Sequence, residues 1–284
     1  MTVHTLVLGA TGPIGHAVMA AHAREKLAAI GFSRSSLPAV ELYDPSQVHA
    51  AIDAHRPRTI IYLASPSTAE LANDDSCIER ATDALAKTLQ SAALLGTARF
   101  VFASSAAVYG TARSSAPIPE AAPTHGNSPY ALLKIASEQL VWQAADRGCR
   151  MEAVSARIFN VFGPGCRHSL LNAMRSGTAT VWDTDKFVRD YVHVDDVAAS
   201  LLQLAKDSGP LPRAINVGTG EGVSNEALIE AAGDPQLQRI AYVHPPSYSV
   251  ADVSLAVRTL GFRLTSRAIS YVTNRPTGAS ESAH

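Results

Sequence analysis

Tyr130 and Lys134 are the two residues of this sequence whose types and spacing most directly suggest chemistry. They stand four positions apart at the start of a stretch with helical periodicity, so both side chains would project from one helix face. A positive charge beside a phenol favours the phenolate and lowers the phenol pKa. Lowering that pKa by ~3 units from ~10 requires ~4 kcal/mol, which one ammonium and a cationic cofactor ring together can supply. The pair is therefore a candidate catalytic pair, and the alternative is a solvated pair on a helix surface.

The N-terminal segment would position a dinucleotide beside this pair. A short apolar run, Thr5–Leu8, predicts a buried strand, and a glycine-rich turn and a helical pattern follow it. Glycines let the backbone approach a pyrophosphate, while free N–H groups and the helix dipole favour its negative charge. The spacing is G-x-x-G-x-x-G, and a purely structural tight turn is the alternative. The predicted cofactor contacts in this turn are Gly9, Thr11, Gly12, Pro13, Ile14 and Gly15.

Ser33 and Arg34 follow the second predicted strand, residues 27–32. A carboxylate at this position would bind the ribose 2′-OH of NAD, and none is present. A hydroxyl and a guanidinium instead suit a 2′-phosphate. We therefore predict NADP(H) as the cofactor, with NAD as a possibility and an ordinary polar turn as the alternative to any contact.

The remaining strands alternate with helical segments, which indicates an α/β fold with a parallel sheet. They are predicted at residues 40–42, 59–64, 99–103 and 151–157. Open α/β sheets bind ligands at the carboxyl ends of their strands. On that basis Glu41 and Leu42 are placed near the adenine, Ala64 and Ser65 near the cofactor, and Ser105 beside the reacting group.

A Gly/Pro-rich segment at residues 160–165 ends the nucleotide half of the chain. Beyond it we predict a helix at 170–175, a strand at 179–182 and a strand at 214–218. A helix is predicted at 197–204, capped by Asp195 and Asp196, and another at 225–232.

Composition limits the partners. The net charge of −1 gives no reason to expect nucleic acid or an anionic membrane, and no apolar run approaches the ~20 residues of a membrane span. The N-terminus lacks the pattern of a signal peptide, so we expect a cytoplasmic protein. Three cysteines, Cys77, Cys149 and Cys166, have neither metal nor disulfide spacing, and we expect inert thiols and no metal site.

In this order the motifs resemble the extended short-chain dehydrogenase/reductase family, in its nucleotide-sugar epimerase, dehydratase and ketoreductase branch. The resemblance covers roughly residues 3–265, and its motifs are Gly9 to Gly15, Ser105 with 108–110, Tyr130 with Lys134, 160–164, 188–190, 194–196 and 216–218. It implies a doubly wound parallel sheet (Rossmann fold) and a smaller C-terminal substrate lobe. The dinucleotide-binding domain would comprise residues 1–160, with a strand and helix returning from about 190–220. The substrate lobe would span residues 161–272, followed by a disordered tail at 273–284. Two copies of the chain would form a homodimer through the helices at 76–95 and 129–145.

The resemblance also implies a role for each matching residue. Tyr130 would be the general acid/base at C4 of a nucleotide-linked sugar, and Lys134 would bind the nicotinamide ribose and lower the pKa of the phenol. Ser105 would position the reacting oxygen. Asn160 would line the sugar pocket, and Arg189 would pair with the diphosphate unless it is an ordinary surface arginine.

Two departures from the family pattern refine the expected reaction. Ala106 and Ala107 stand where dehydratases have an acidic pair, which disfavours dehydration. Residues 241–248 lack the second arginine that the family usually offers to the diphosphate. We therefore place a 4-ketoreductase first and a 4-epimerase with retained cofactor second. A non-catalytic dinucleotide-sensing protein is the alternative from another class.

Overall fold

The structure is a computed structural model that describes residues 4–36, 39–74, 76–146, 151–206, 209–234, 236–261 and 263–274, without the side chains of 68–69. Cys149 and residues 275–284 of the predicted tail lie outside these ranges. The strands are β1 (Thr5–Leu8), β2 (Ala29–Phe32), β3 (Thr59–Tyr62), β4 (Arg99–Ser105), β5 (Glu152–Ile158), β6 (Asn160–Phe162), β7 (Thr180–Asp183), β8 (Phe187–His193), β9 (Ala214–Val217), β10 (Gly222–Ser224), β11 (Gln238–Ala241) and β12 (Ser247–Ser249). The helices are α1 (Pro13–Arg24), α2 (Pro45–His55), α3 (Thr68–Asn73), α4 (Cys77–Leu94), α5 (Pro129–Asp146), α6 (Leu170–Arg175), α7 (Val194–Lys206), α8 (Asn225–Ala232), α9 (Ser254–Leu260) and α10 (Ala268–Thr273).

The largest sheet has the strand order β2-β1-β3-β4-β5-β9, and every neighbouring pair is parallel. Successive residues of a strand face opposite sides of a sheet, and both sides are covered here. On one side Val7 and Val101 pack in a core with Val18 of α1 and Leu201 of α7. On the other side a second core joins Leu6, Leu8 and Phe100 to α2 and α4. This arrangement confirms the predicted doubly wound α/β sheet.

The strand predicted at residues 40–42 is absent, and that prediction is wrong. The backbone N–H of Glu41 donates to Gln47 Oε1 at 3.0 Å, and that of Tyr43 donates to Glu41 Oε1 at 3.1 Å. The N–H of Val40 donates to the carbonyl of Ser33 at 2.9 Å. Because local side chains and the residue after β2 take these donors, they are not available to a regular ladder.

The helix predicted at 197–204 begins earlier, at Val194. Asp195 and Asp196 therefore lie in the first turn of α7 and not at its cap, where their charges still favour the positive end of the helix dipole. Most other predicted elements agree with the structure to within three residues at either end. The segment 187–193, which carries Arg189, forms β8.

The smaller sheet is centred on β8, which pairs with β10, β12 and β6. Strands β7 and β11 form a separate parallel pair. Phe162, Leu171, Tyr191, Leu228 and Val272 belong to the core that packs beneath these strands.

Two further observations concern composition. Cys77 and Cys166 are free and buried, and burial raises the pKa of Cys166 to about 11. Among the described residues, no helix is both long enough and apolar enough to cross a bilayer.

Candidate functional site

A cleft of about 1210 Å³ opens between the carboxyl ends of the large sheet and the smaller sheet. It brings together residues from both halves of the chain that the sequence separates by up to 229 positions, from Thr11 to Ile240. The predicted site residues on its wall are Thr11, Pro13, Ile14, Tyr130, Asn160 and Arg189.

In the glycine-rich turn at one end of the cleft, backbone segments approach each other closely. Gly9 has φ +100°, and a Cβ there would lie 2.9 Å from the backbone nitrogen of Ala64. A Cβ on Gly15 would lie 2.4 Å from the carbonyl oxygen of Gly9, so only glycine lets α1 pack this closely. Gly12 is the N-cap of α1 and provides no side-chain cap, and a Cβ there would lie 3.7 Å from the carbonyl oxygen of Gly9. The first turn of α1 therefore suits an anion such as a dinucleotide pyrophosphate.

Ser33 and Arg34 have different environments. The Ser33 hydroxyl is buried and accepts hydrogen bonds from Thr11 Oγ1 at 3.0 Å and from the N–H of Ser35 at 3.1 Å. The Arg34 side chain is exposed and lies beside a second cavity of about 450 Å³. Its only carboxylate contact in the described chain is Glu70, at 3.9 Å. Arg34 is therefore accessible to an anionic group, whereas Ser33 mainly holds the turn together.

The other predicted cofactor residues border the same end of the sheet. Leu42 is buried, and the Glu41 carboxylate is engaged locally by the loop that replaces the missing strand. Ala64 and Ser65 line a small cavity that also contains Lys134. The Ser65 hydroxyl is buried without a hydrogen-bond partner among the described residues, so a polar group in that cavity would satisfy it.

Tyr130 and Lys134 lie together in the first turns of α5, as the spacing predicts. The ammonium is 5.6 Å from the centre of the Tyr130 ring and donates to the carbonyl of Ala103 at 2.8 Å. Lys134 is only 3 % exposed. Burial lowers its pKa to about 8, and the charge of Glu138 partly opposes that change.

The pKa of Tyr130 moves in the direction opposite to the one expected from the sequence. Burial raises the pKa of the phenol, and only a hydrogen bond with Ser105 lowers it. The Lys134 ammonium lies over the face of the ring and donates to a backbone carbonyl, not to the phenol oxygen. Within the protein alone, Tyr130 is therefore a protonated phenol at neutral pH.

Ser105 ends β4 and caps the 3₁₀ turn Ala106–Tyr109, where its hydroxyl accepts from the N–H of Ala107 at 3.2 Å. The same hydroxyl is close enough to Tyr130 to lower the pKa of its phenol. The structure therefore joins Ser105, Tyr130 and Lys134 in one cluster at the end of the sheet.

A buried network behind α5 was not found from the sequence. Arg157 of β5 forms a bidentate pair with Glu138 of α5 at 2.9 and 2.8 Å, and Glu138 also accepts from Ser104 at 2.6 Å. Arg157 donates in turn to Tyr109 OH, which donates to Asn216 at 2.7 Å. The network ties α5 to β4, β5 and β9. Glu138, one turn beyond Lys134, was the only sequence signal for it.

Asn160 and Arg189 line the same cleft as the glycine turn. Asn160 Nδ2 donates to the carbonyl of Asp190 at 2.9 Å, which fixes its amide at the cleft. Arg189 stacks on Phe187, with its guanidinium 3.6 Å from the ring centre, and donates to the Ser247 side chain at 2.8 Å. Arg189 is thus a half-buried, positioned cation and not a surface arginine, although partial burial lowers its pKa.

Asn225 also lines the cleft and was not singled out from the sequence. It is 2 % exposed, its Nδ2 donates to the carbonyl of Trp182 at 3.1 Å, and its Oδ1 has no partner among the described residues. Asn225 is the first residue of α8, and nothing in the surrounding sequence indicated a functional site there.

Comparisons with known proteins agree with this geometry. Residues 5–218 match the model of the NAD dependent epimerase/dehydratase family. The chain is 30% identical over 194 residues to a UDP-glucose 4-epimerase from Streptomyces lividans, covering 59% of this chain and 58% of that relative. It is 28% identical over 268 residues to a GDP-6-deoxy-D-mannose reductase from Pseudomonas aeruginosa, covering 87% and 84%. Against the first relative, the match therefore spans less than two thirds of that protein's length.

Among solved structures, MoeE5 in complex with UDP-glucose and NAD superposes with a TM-score of 0.81 at 25% identity. The superposition covers 96% of this chain and 97% of that one. The shared architecture extends beyond the sheet into the smaller lobe.

Proposed function

Because this chain belongs to the NAD dependent epimerase/dehydratase family, we propose that it transfers hydride at a secondary alcohol or ketone of a nucleotide-linked sugar. Net reduction of a 4-keto sugar is the first form of this proposal. The membership of this chain in that family confirms the resemblance that its sequence motifs indicated. The similar proteins include enzymes named for UDP-glucose and for a GDP-linked deoxysugar.

One observation carries the proposal. Tyr130 opens into the same cleft as the uncapped glycine turn and as Asn160 and Arg189. An acid/base group, an anion-binding turn and a half-buried guanidinium thus face a single cavity. That combination suits a dinucleotide at one end and an anionic substrate at the other.

The protonated state of Tyr130 suits reduction of a ketone. A bound reduced nicotinamide supplies the hydride that forms the new C–H bond. Tyr130 supplies the balancing proton to the carbonyl oxygen and is left as phenolate, which then regains a proton from water. Because burial holds the phenol protonated, the resting protein is ready for this direction without a prior ionisation.

Ser105 and Lys134 assist Tyr130 in its role as the general acid. The Ser105 hydroxyl lies close to Tyr130 and can donate to the same substrate oxygen, which would hold that oxygen beside the phenol. Lys134 donates one of its three N–H groups to the carbonyl of Ala103. Its remaining N–H groups can bind the nicotinamide ribose, and its charge stabilises the phenolate left after proton transfer.

For the cofactor we propose NADP(H), held at its 2′-phosphate by Arg34. The exposed guanidinium beside an open cavity supports this choice, and no carboxylate follows β2 to bind a 2′-OH. NADP(H) should bind at least about tenfold more tightly than NAD(H), equivalent to about 1.4 kcal/mol, and Arg34→Ala should abolish the preference. Fluorescence titration of both cofactors measures it, and a preference for NAD(H) would refute it.

Epimerisation at C4 is the second candidate, supported by the relative from Streptomyces lividans that is named as a 4-epimerase. In that case the cofactor would remain bound and return hydride to the other face of the keto intermediate. The same Tyr130 would then have to act first as base, which needs a lower phenol pKa than the protein alone provides.

A panel of 4-keto and 4-hydroxy nucleotide sugars, incubated with and without NADPH, separates the candidates. Loss of NADPH in proportion to product indicates a reductase, whereas a changed C4 configuration without NADPH loss indicates an epimerase. Dinucleotide binding with no turnover of any sugar would contradict both and favour a sensing protein.

We also propose a homodimer formed through α4 and α5, and a division of the chain into the cofactor domain and substrate lobe given above. Leu94 of α4 and Leu132 of α5 are 75% and 49% exposed, which supports an apolar contact between copies. Light scattering that shows only monomer would refute the dimer.

A further inference from the structure

The charges on the wall of the large cleft are of one sign. Its lining contains two guanidinium groups, Arg167 and Arg189, and two histidines, His16 and His168. No aspartate or glutamate is among the described residues that line it. A cavity with cations and without carboxylates attracts an anionic ligand.

Arg189 by itself has little capacity left for such a ligand. Its Nη1 donates to the carbonyls of Val188 and Ser247 at 2.8 and 2.9 Å, and its Nη2 donates to the Ser247 hydroxyl at 2.8 Å. A guanidinium has five N–H donors, so these bonds leave two. Two donors serve one phosphoryl group in a bidentate contact. A diphosphate with two charged groups needs another cation.

Arg167 is the other cation on the wall, and its guanidinium is not engaged. The side chain is exposed, and its only hydrogen bond within the described chain is from its backbone N–H to Gly165, at 2.9 Å. It forms no ion pair with a described carboxylate. All five side-chain donors are therefore free for a ligand.

The turn that carries Arg167 is held in place at its base. Asn172 of α6 clamps Gly163 from both sides, donating to its carbonyl at 2.7 Å and accepting from its N–H at 3.1 Å. Cys166 is buried beneath the turn. The turn also follows β6, which pairs with β8, the strand that carries Arg189. A positioned backbone limits the loss of entropy when a long side chain binds.

We propose that Arg167 supplies the second positive charge to the diphosphate of the substrate, a role that rests on the proposed function in nucleotide-sugar chemistry. This cation comes from the segment between β6 and α6. It takes the place of an arginine in residues 241–248, where this chain has none. Arg189 would bind one phosphoryl group and Arg167 the other.

The test is equilibrium binding of UDP and GDP, with uridine and guanosine as matched probes that lack the diphosphate. For the diphosphate that the wild-type protein binds more tightly, Arg167→Gln should raise the dissociation constant about 10- to 100-fold, as expected for a lost charge-assisted contact. Binding of the corresponding nucleoside should not change. Arg167→Lys should give an intermediate loss, because an ammonium lacks the bidentate geometry.

Arg24→Gln is the matched control, since it removes the same charge at the far end of α1, about 12 Å along the helix axis from His16, which lines the cleft. It should change diphosphate binding less than twofold. If Arg167→Gln weakens binding no more than this control, or weakens the nucleoside equally, the role of Arg167 is refuted. The proposed function then survives, provided that the wild type turns over a nucleotide sugar. If the wild type binds neither diphosphate and turns over no such sugar, both proposals fail.

Discussion

Lys134→Met should make the protein more stable and less active. The ammonium is almost fully buried, and burial lowers its pKa from the ordinary 10.5 to about 8. One pH unit corresponds to about 1.4 kcal/mol, so burying the charge costs about 3 kcal/mol at neutral pH. Removing the side chain also leaves the carbonyl of Ala103 without this donor, which costs about 1–2 kcal/mol. A methionine sulfur can replace the ammonium 4.9 Å from the Phe102 ring.

The expected net gain is therefore about 1–2 kcal/mol in the free energy of unfolding. In a chain of this size that gain raises the Tm by about 2–6 °C, measurable by calorimetry or denaturant titration. Turnover should fall by at least about 100-fold, since the charge that stabilises the phenolate is lost. The control is Lys87→Met on α4, an exposed lysine paired with Asp83, which should change stability by less than about 0.5 kcal/mol.

The pH dependence gives a second test of the same reasoning. The folded pKa of Lys134 lies below the unfolded value, so between about pH 8 and 10 the unfolded chain binds more protons. The unfolding free energy of the wild type then rises with pH relative to that of the variant. The advantage of Lys134→Met should shrink from pH 7 to pH 10. A variant less stable than wild type at pH 7, or an advantage that does not change with pH, would refute this account.

Three further outcomes are expected. Tyr130→Phe should abolish turnover while leaving the cofactor dissociation constant within about twofold; more than a few per cent residual activity would remove Tyr130 from the mechanism. Gly15→Ala would place a Cβ 2.4 Å from the carbonyl oxygen of Gly9. It should therefore lower the free energy of unfolding by about 1–3 kcal/mol and weaken dinucleotide binding. Normal dinucleotide binding in a titration would contradict the turn geometry. Glu138→Gln leaves the buried Arg157 without its carboxylate and should destabilise the protein by about 3–5 kcal/mol in urea unfolding; a change below about 1 kcal/mol would show that the pair adds little.

Features that depend on neighbouring residues were predictable from the sequence. The order of apolar runs, the glycines between β1 and α1, and the spacing of Tyr130 and Lys134 are all local patterns. They predicted the parallel sheet, the anion-binding turn and the shared face of α5. The strand expected at residues 40–42 shows the limit of such patterns, because a side chain from α2 takes the N–H of Glu41.

Tertiary structure alone decided the electrostatics of the site. Burial raises the pKa of Tyr130 where local spacing predicted a lower one, because desolvation depends on what packs around the ring. The partner of Arg189 is Ser247, 58 residues away, and that of Glu138 is Arg157 on another strand. Such long-range contacts decide which guanidinium has its hydrogen-bond donors occupied and which is free to bind a ligand. No periodicity in the sequence encodes these contacts.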